Sequence, residues 1–217
     1  MKQEKIVVIG SGPGGAAASA LLQKKGHDVT LIESKPFTGG RCTSIEKEGF
    51  IYDFGVHMFS RGESGPHGEV NRLINGNLKW RTHHPAARVM GKVEFDFPLD
   101  IKPFLTQIRI ALKLNVKKRN YIGAYRIFKD LLKGDKIDEI DNITARKFVD
   151  LYTDDDMIHL FINCLCQLYF AISYHEASAG EFMWCFKRMF NEATFGYPFG
   201  GSKAIPDAFL ARFCEMG

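Results

Sequence analysis

The chain has 217 residues, of which 45% are hydrophobic and 25% are charged, and its formal net charge is +4. This balance excludes a chain that is disordered as its main state, and a charge this small argues against nucleic-acid binding. Five cysteines without a CxxC pair indicate reduced thiols in a cytosolic protein rather than a zinc site or a disulfide scaffold. No apolar run reaches the roughly 20 residues that a membrane-spanning helix needs. We therefore expect a globular, cytoplasmic protein.

The start of the chain predicts a βαβ unit. Ile6-Val7-Val8-Ile9 is a short apolar run, typical of a parallel strand that is buried on both faces. Residues 14–26 are rich in alanine and leucine and predict a helix that ends at Gly26. Residues 28–33 predict a second strand, reached by a right-handed crossover.

The following residues predict hairpins and then helices. Two hairpins are predicted, over 43–54 around Gly49 and over 87–97 with its turn at 91–92, and a short helix over 68–76. From residue 103 the apolar residues recur with a helical period. The predicted helices lie near 104–116, 121–132, 144–152, 155–172 and 177–190, and a glycine-rich turn at 197–203 precedes a last helix.

A glycine-rich motif follows the first strand. Gly10-Ser11-Gly12-Pro13-Gly14-Gly15 fits GxGxxG, in which Gly10 permits a tight turn, Gly12 lets the backbone approach a pyrophosphate, and Gly15 lets the helix pack closely. The N–H groups and the dipole of the helix favour an anion there. Glu33 ends the second strand, where a carboxylate can accept hydrogen bonds from the ribose hydroxyls of adenosine. Together these residues predict dinucleotide binding.

A second glycine motif, Gly39-Gly40-Arg41, follows Glu33. Two glycines let the backbone pass close to a cofactor, and Arg41 can donate charge-assisted hydrogen bonds to phosphate oxygens or orient a ring. Such a motif is not part of a plain nicotinamide-binding fold. Taken alone it is equally well interpreted as a surface turn, but its position after a βαβ unit favours contact with the cofactor.

These motifs resemble those of the FAD-containing amine oxidase superfamily, which includes phytoene desaturases, carotenoid isomerases, protoporphyrinogen oxidases and monoamine or polyamine oxidases. Three further segments are similar to parts of that family. Residues 49–57 resemble its Asp-x-Gly-x-His stretch, 93–99 resemble a strand ending in an aromatic residue and proline, and 197–201 resemble the Pro-x-Gly-Gly after its helical insertion. The resemblance extends from about residue 4 to the end of the chain.

The resemblance implies an α/β fold, in which a Rossmann-like FAD-binding βαβ core with a parallel sheet carries a helical insertion and part of a second substrate sheet. It implies an FAD-binding domain over 1–80 and 192–217, and a substrate and helical cap region over 81–191. The C-terminal half of the family fold, with its Gly-Asp segment beside the flavin, has no counterpart here. We therefore expect that a second polypeptide or a missing C-terminal half completes the site.

The resemblance also implies FAD, bound covalently or non-covalently, and hydride removal from a carbon or nitrogen atom of the substrate. Gly55 and His57 would lie near the flavin, although a core or turn histidine is an equal interpretation of His57. No catalytic residue and no metal site is predicted. The implied cofactor-binding residues are Gly10, Ser11, Gly12, Pro13 and Gly15 at the pyrophosphate, Glu33 at the ribose, Gly40 and Arg41 towards the flavin, and Gly55 and His57.

The first functional hypothesis is an FAD-dependent oxidoreductase of the desaturase or oxidase type. It would transfer a hydride from a small apolar substrate, such as an isoprenoid or a porphyrinogen, to flavin N5. One alternative is an amine oxidase. An alternative of another class is a flavin-binding fragment or subunit that needs a second chain and is inactive alone.

Residues 102–133 form a basic stretch in which Asp130 is the only acidic residue. Its lysines and arginines alternate with aromatic and aliphatic residues, as in segments that lie peripherally on an anionic membrane. The alternative is a solvated face above a helical core, with its charge balanced by the acidic residues that follow.

Overall fold

The computed structural model describes residues 2–55, 58–59, 61–82, 85, 87–97, 102–135, 137–192 and 195–217. They form an α/β fold that divides into two compact units. The first unit comprises Met1–His83 and Thr194–Gly217, and the second comprises His84–Ala193. The first unit is therefore built from both ends of the chain. The assignment of a cofactor-binding and a substrate-binding role to the two parts stays a prediction.

The first unit begins with the predicted βαβ unit, which is confirmed. Strand β1 (Lys5–Ile9) leads into helix α1 (Pro13–Lys24) and then strand β2 (Asp28–Ile32). The two strands are parallel, with Ile9 opposite Ile32. Proline suits the first position of α1 because that position needs no N–H donor.

Only one face of this strand pair is covered, so the prediction of a strand buried on both faces is wrong. Val7 and Ile9 are exposed, whereas Ile6 and Val8 between them are partly buried, and Ile9 exposes 85% of its surface. Ile32, opposite Ile9, is also exposed. Burial of both faces of a parallel sheet requires a layer on each side, and the described residues cover only one.

The remaining strands of the first unit form two antiparallel pairs. The predicted first hairpin is confirmed as β3 (Ser44–Lys47) and β4 (Phe50–Asp53). Helix α2 (Pro66–Leu73) follows it, and β5 (Trp80–Thr82) pairs with the last strand, β8 (Gly196–Pro198). The β5–β8 pair was not predicted, because three residues per strand are too few to show a period of two.

The core of the first unit lies between its first and last helices. The last helix, α9 (Ala204–Glu215), packs against α1. Ala16 and Ala20 of α1 and Phe209 of α9 are fully buried there. Because alanine side chains are small, the two helices can approach closely, and the C-terminal end of the chain is held against the βαβ unit.

The second unit contains the second predicted hairpin, which is confirmed as β6 (Ala87–Val89) and β7 (Phe95–Phe97), followed by helices. Each predicted helix is confirmed to within a few residues, whereas the four-residue α5 was not predicted. None of the described helices is long and apolar enough to cross a membrane. The helices are α3 (Phe104–Lys113), α4 (Tyr121–Lys133), α5 (Ile137–Ile140), α6 (Ala145–Asp150), α7 (Asp156–Phe170) and α8 (Ala179–Glu192).

Local chemistry sets the ends of these helices. The side chains of Thr144 and Asp155 cap the N-termini of α6 and α7 by accepting backbone N–H bonds. Gly134 ends α4 in the left-handed conformation, and Ala171 ends α7 in the same way. The core of the unit includes the buried residues Ile127 and Leu131 of α4 and Phe182 and Phe186 of α8.

Candidate cofactor-binding site

The glycine turn between β1 and α1 has the backbone conformation that GxGxxG requires. Gly10 has a φ of +92°, which a residue with a side chain rarely adopts. Its N–H group donates a hydrogen bond to the carbonyl oxygen of Ile32 at 2.7 Å, which joins the turn to the end of β2. Gly12 then caps α1 in an extended conformation.

Gly15 is required for the close packing of α1 on this turn. A Cβ atom at Gly15 would lie 1.8 Å from the carbonyl oxygen of Gly10 and 3.6 Å from Cγ1 of Val8. The first distance is far below any van der Waals contact, so only glycine fits. At Gly14, by contrast, a Cβ atom would meet nothing within 4 Å.

The N-terminal end of α1 offers unpaired donors. Within the part of the chain that the structure describes, no atom accepts a hydrogen bond from the N–H groups of Gly12, Gly14 and Gly15. The first turn of α1 also contains no acidic side chain that would compete for these donors. Free N–H groups and the positive end of the helix dipole together suit the two phosphates of a dinucleotide.

Glu33 lies beside this turn and is held by it. Its Oε2 atom accepts hydrogen bonds from the Ser11 N–H at 2.8 Å and from the Ser11 hydroxyl at 2.7 Å. Its Oε1 atom accepts one from the N–H of Lys35 at 2.9 Å. These bonds, above all those from Ser11, lower the pKa of Glu33 from 4.5 to about 2. The carboxylate is therefore ionised and oriented, and it keeps lone pairs that can accept from a ribose.

The Gly39-Gly40-Arg41 loop packs against the glycine turn. The N–H of Gly39 donates to the carbonyl oxygen of Ser11 at 3.1 Å, and a Cβ atom at Gly40 would lie 3.6 Å from Cα of Gly12. The side chain of Arg41 is exposed and forms no ion pair with any other described residue. Its guanidinium is therefore available to an anion, and its backbone directly follows Gly40, which packs against the glycine turn.

Gly55 also lies close to this loop. A Cβ atom there would be 2.3 Å from the carbonyl oxygen of Arg41, so the chain passes too closely for a side chain. The structure thus brings Gly55 beside Arg41 and Gly40 beside the glycine turn, whereas their placement near a flavin stays a prediction. His57 lies outside the described residues, so its placement stays a prediction.

Asp53 has a role that the sequence analysis missed. Its Oδ1 atom accepts hydrogen bonds from the N–H of Ser202 at 2.8 Å and from the hydroxyl of Ser44. Cys42 also contacts this segment, since its thiol donates to the carbonyl oxygen of Ser202 at 3.0 Å. Burial raises the pKa of this thiol. These bonds fix the Pro-x-Gly-Gly turn on the hairpin, and the Asp-x-Gly spacing was the available signal.

Comparisons with known proteins support the Rossmann-like fold of the first unit. The family model of the NAD(P)-binding Rossmann-like domain matches residues 8–75. An uncharacterized protein of Methanocaldococcus jannaschii is 28% identical over 204 residues, which cover 94% of this chain and 47% of that protein. Human all-trans-retinol 13,14-reductase is 40% identical over 77 residues, covering 35% of this chain and 13% of the enzyme. Phytoene desaturase of Cercospora nicotianae is 46% identical over 57 residues, covering 26% and 9%.

Solved structures extend the similarity to the whole chain. An oxidoreductase from Methanosarcina mazei superposes with a TM-score of 0.79 and 21% identity over 99% of this chain and 50% of that protein. Putrescine oxidase bound to putrescine superposes with a TM-score of 0.70 and 14% identity, with the same coverage. The chain thus spans about half the length of these proteins. The glycine motifs, the fold and these relatives together support the superfamily of FAD-dependent oxidoreductases for this chain.

Proposed function

We propose that the first unit binds FAD and that the protein is an FAD-dependent oxidoreductase. The proposal rests on two features of the same turn. One is the set of three free N–H groups at the start of α1, and the other is the ionised Glu33, whose Oε2 atom accepts a hydrogen bond from the Ser11 N–H at 2.8 Å. The N–H groups match a pyrophosphate, and the carboxylate matches the ribose of the adenosine. The residues present therefore fit the ADP half of the cofactor.

The preference for FAD over a nicotinamide dinucleotide is supported by the second glycine loop. Gly40 packs against Gly12 of the glycine turn, where the pyrophosphate would bind, and Gly55 packs against Arg41. The Arg41 guanidinium can donate hydrogen bonds to phosphate oxygens. The backbone carbonyl of Arg41 leaves room only for a glycine at position 55. Retinol 13,14-reductase and phytoene desaturase, to which the chain is similar, also favour a flavin-type cofactor.

Bound FAD would supply a hydride acceptor at the flavin N5 atom. The residues of this chain would bind and orient the adenosine and pyrophosphate, and the second unit would form part of the wall around the substrate. We propose an apolar isoprenoid as substrate, because retinol and phytoene appear in the names of two relatives. An amine substrate is the second candidate, on the fold shared with putrescine oxidase.

We also propose that the flavin end of the site is completed by a polypeptide segment that the 217 residues do not contain. Two solved structures of this fold are about twice as long as the matched chain. The exposed apolar face formed by Val7, Ile9 and Ile32 is the surface that such a segment would cover. The segment would be either the continuation of a longer chain or a second polypeptide.

The binding test is a titration of the purified chain with FAD, followed by its absorbance bands and by calorimetry. We expect one site, and we expect Glu33→Gln to weaken binding by about 10-fold to 100-fold, because a charged acceptor of ribose hydroxyl bonds is lost. Glu46→Gln on β3 is the matched control and should bind normally. A chain that stays colourless, alone and with the completing polypeptide, would rule out the proposal.

The substrate test uses the flavin-loaded protein together with the completing polypeptide, in the absence of oxygen. Addition of an isoprenoid polyene precursor should bleach the flavin absorbance, whereas putrescine should leave it unchanged. Bleaching by the amine alone would instead support the second candidate. If neither substrate class bleaches a protein that binds FAD tightly, then both oxidase candidates are wrong.

A further inference from the structure

Helices α3 and α4 of the second unit enclose an apolar groove at the surface. The groove has a volume of about 430 Å³, and none of its lining side chains is charged. The rings of Phe104 on α3 and Tyr125 on α4 meet edge to face across it at 5.5 Å. The other main lining side chains are Ile108, Ala111, Ile122 and Phe128.

The rim of this groove exposes large apolar side chains. Ile122 exposes 66% of its surface, and Phe104, Leu105 and Leu112 each expose more than half. Isolated exposed apolar residues are common, but here Phe104 and Ile122 line the same groove on two neighbouring helices, and Leu105 and Leu112 add exposed apolar area on α3. Contiguous apolar surfaces of this kind mark contact with a membrane or another protein.

Unpaired cations flank the same surface. A helix turns by about 100° per residue, so Arg109 and Lys113 lie beside the exposed leucines of α3, and Arg126 and Lys129 lie beside Ile122 of α4. These four side chains are exposed and form no ion pair with any described residue. Lys117 and Lys118, in the connection between the helices, are likewise exposed and without an ion pair there.

The acidic residues that follow neutralise little of this charge. Arg119 pairs with Asp154 at 2.8 Å, and Lys133 approaches Asp135 at 4.0 Å. Asp130, the acid within the stretch, accepts a hydrogen bond from the hydroxyl of Tyr152 at 2.6 Å. Six exposed cations therefore remain around the groove, which argues against the interpretation of the stretch as an internally balanced solvated face.

We propose that the α3–α4 surface, residues 104–133, docks on a lipid bilayer with anionic headgroups. The exposed apolar side chains would enter the boundary between headgroups and acyl chains, and the six cations would contact the headgroups. An RNA would use the cations but leave the apolar side chains in water. An apolar polypeptide would cover the groove but leave the charges unpaired at its edge. An anionic bilayer satisfies both parts of the surface.

The test is co-sedimentation of the full chain with vesicles of phosphatidylcholine, with and without phosphatidylserine, at low and high salt. We expect binding only to the anionic vesicles, weakened by salt. Because each basic residue near an anionic surface contributes about fivefold in partitioning, Lys113→Gln with Arg126→Gln and Lys129→Gln should lower it by about 100-fold. The matched control, Lys2→Gln with Lys25→Gln and Lys47→Gln, removes the same charge from the first unit and should bind normally.

A second variant distinguishes insertion of the apolar side chains into a bilayer from attraction of the cations to any polyanion. Leu105→Ser with Ile122→Ser changes exposed side chains, so the fold should persist, as circular dichroism can verify. We expect a loss of about tenfold or more in partitioning, because apolar area would no longer be buried in the bilayer.

Four results would overturn the proposal: no sedimentation with anionic vesicles at low salt, equal binding to neutral vesicles, an equal loss in the control triple variant, or no effect of the serines. The third result would show that overall charge, rather than this surface, causes binding, and the fourth would indicate polyanion binding. Vesicle binding requires no flavin, so this test is independent of the FAD titration.

Discussion

At the scale of single residues, Gly14 and Gly15 at the start of α1 differ in the space around them. A Cβ atom on Gly15 would lie 1.8 Å from the Gly10 carbonyl oxygen, whereas one on Gly14 would meet nothing within 4 Å. We expect Gly15→Ala to lower the free energy of unfolding by about 1–3 kcal/mol, as overpacking does, and to weaken FAD binding. Gly14→Ala should instead raise the free energy of unfolding by about 0.5–1 kcal/mol.

Urea denaturation of the two variants measures this difference. The pair is matched, since each change adds one methyl group within the first turn of the same helix. If both alanines lowered the free energy of unfolding equally, the close contact between α1 and the Gly10 carbonyl would be wrong. If Gly15→Ala were as stable as the parent chain, the turn would have a different backbone path.

Because of Glu33, we expect the free energy of unfolding of the first unit to decrease at acidic pH. Its pKa is lowered from 4.5 to about 2, mainly by the hydrogen bonds from Ser11. In this range the unfolded chain binds more protons than the folded one, so the stabilisation is complete above about pH 4.5 and is lost as the pH falls to about 2. We expect the free energy of unfolding to fall less steeply over this interval in Glu33→Gln.

The measurement is urea denaturation at several pH values from about 5 to about 2, with Glu46→Gln on β3 as the control. The control should follow the parent chain. A Glu33→Gln variant with the same pH dependence as the parent would mean that the carboxylate is not held by Ser11 in solution.

The residues of the glycine turn could be predicted because their roles are local. Gly10, Gly12 and Gly15 follow from the geometry of one strand, one turn and one helix, and Glu33 follows from the length of the βαβ unit. Asp53 could not be assigned its partner, because Ser202 is separated from it by the whole second unit. Such a contact depends on the tertiary fold, which no local pattern encodes.

At the scale of elements, α9 holds the first unit together. It packs against α1, and the side chain of Phe209 is fully buried in the core of the unit, where its ring approaches His67 of α2 at 6.5 Å. We expect Phe209→Ala to lower the free energy of unfolding by about 3–5 kcal/mol, because burial is lost and a cavity remains. Phe54→Ala, at a side chain that exposes 69% of its surface, should change it by less than about 0.5 kcal/mol.

Chemical denaturation followed by circular dichroism gives both values. A small effect of Phe209→Ala would show that α9 is not docked on α1, and the first unit would then lack its second segment. Truncation of residues 204–217 should be more damaging than the point substitution, since it uncovers Ala16 and Ala20 as well.

The longer helices were predicted well because each has either several turns of helical periodicity or a clear end. Gly134 ends α4 with a φ of +59°, and the side chains of Thr144 and Asp155 cap α6 and α7. The four residues of α5 and the three-residue strands β5 and β8 carry too little pattern to be recognised. Pairing of β5 with β8 depends on the return of the chain after the second unit.

At the scale of the whole molecule, the composition of β1 predicts a sheet that is buried on both faces. The described residues bury only one of them. The strands of a parallel sheet are hydrophobic throughout because layers normally lie on both sides. The error in the prediction for β1 is therefore informative. It agrees with a chain that spans about half the length of the solved structures of this fold.

This exposed face gives a prediction about the isolated chain. Ile9 and Ile32 lie opposite each other on the uncovered side of the sheet, and Val29 lies on the covered side. We expect the chain to bind an apolar fluorescent dye and to self-associate, and Ile9→Thr with Ile32→Thr to reduce both, because threonine keeps the strand propensity but lowers the apolar area. The free energy of unfolding should change by less than about 1 kcal/mol, since neither side chain is packed.

Val29→Thr is the matched control on the same strand. It should leave dye binding unchanged but lower the free energy of unfolding by about 1–3 kcal/mol, since a hydroxyl is buried against α1. If the proposed completing polypeptide covers this face, its addition should abolish dye binding by the parent chain. If the double threonine variant bound as much dye as the parent chain, the uncovered face of β1 and β2 would not be the surface that the completing segment occupies, and the exposed hairpin β3–β4 would be the next surface to test.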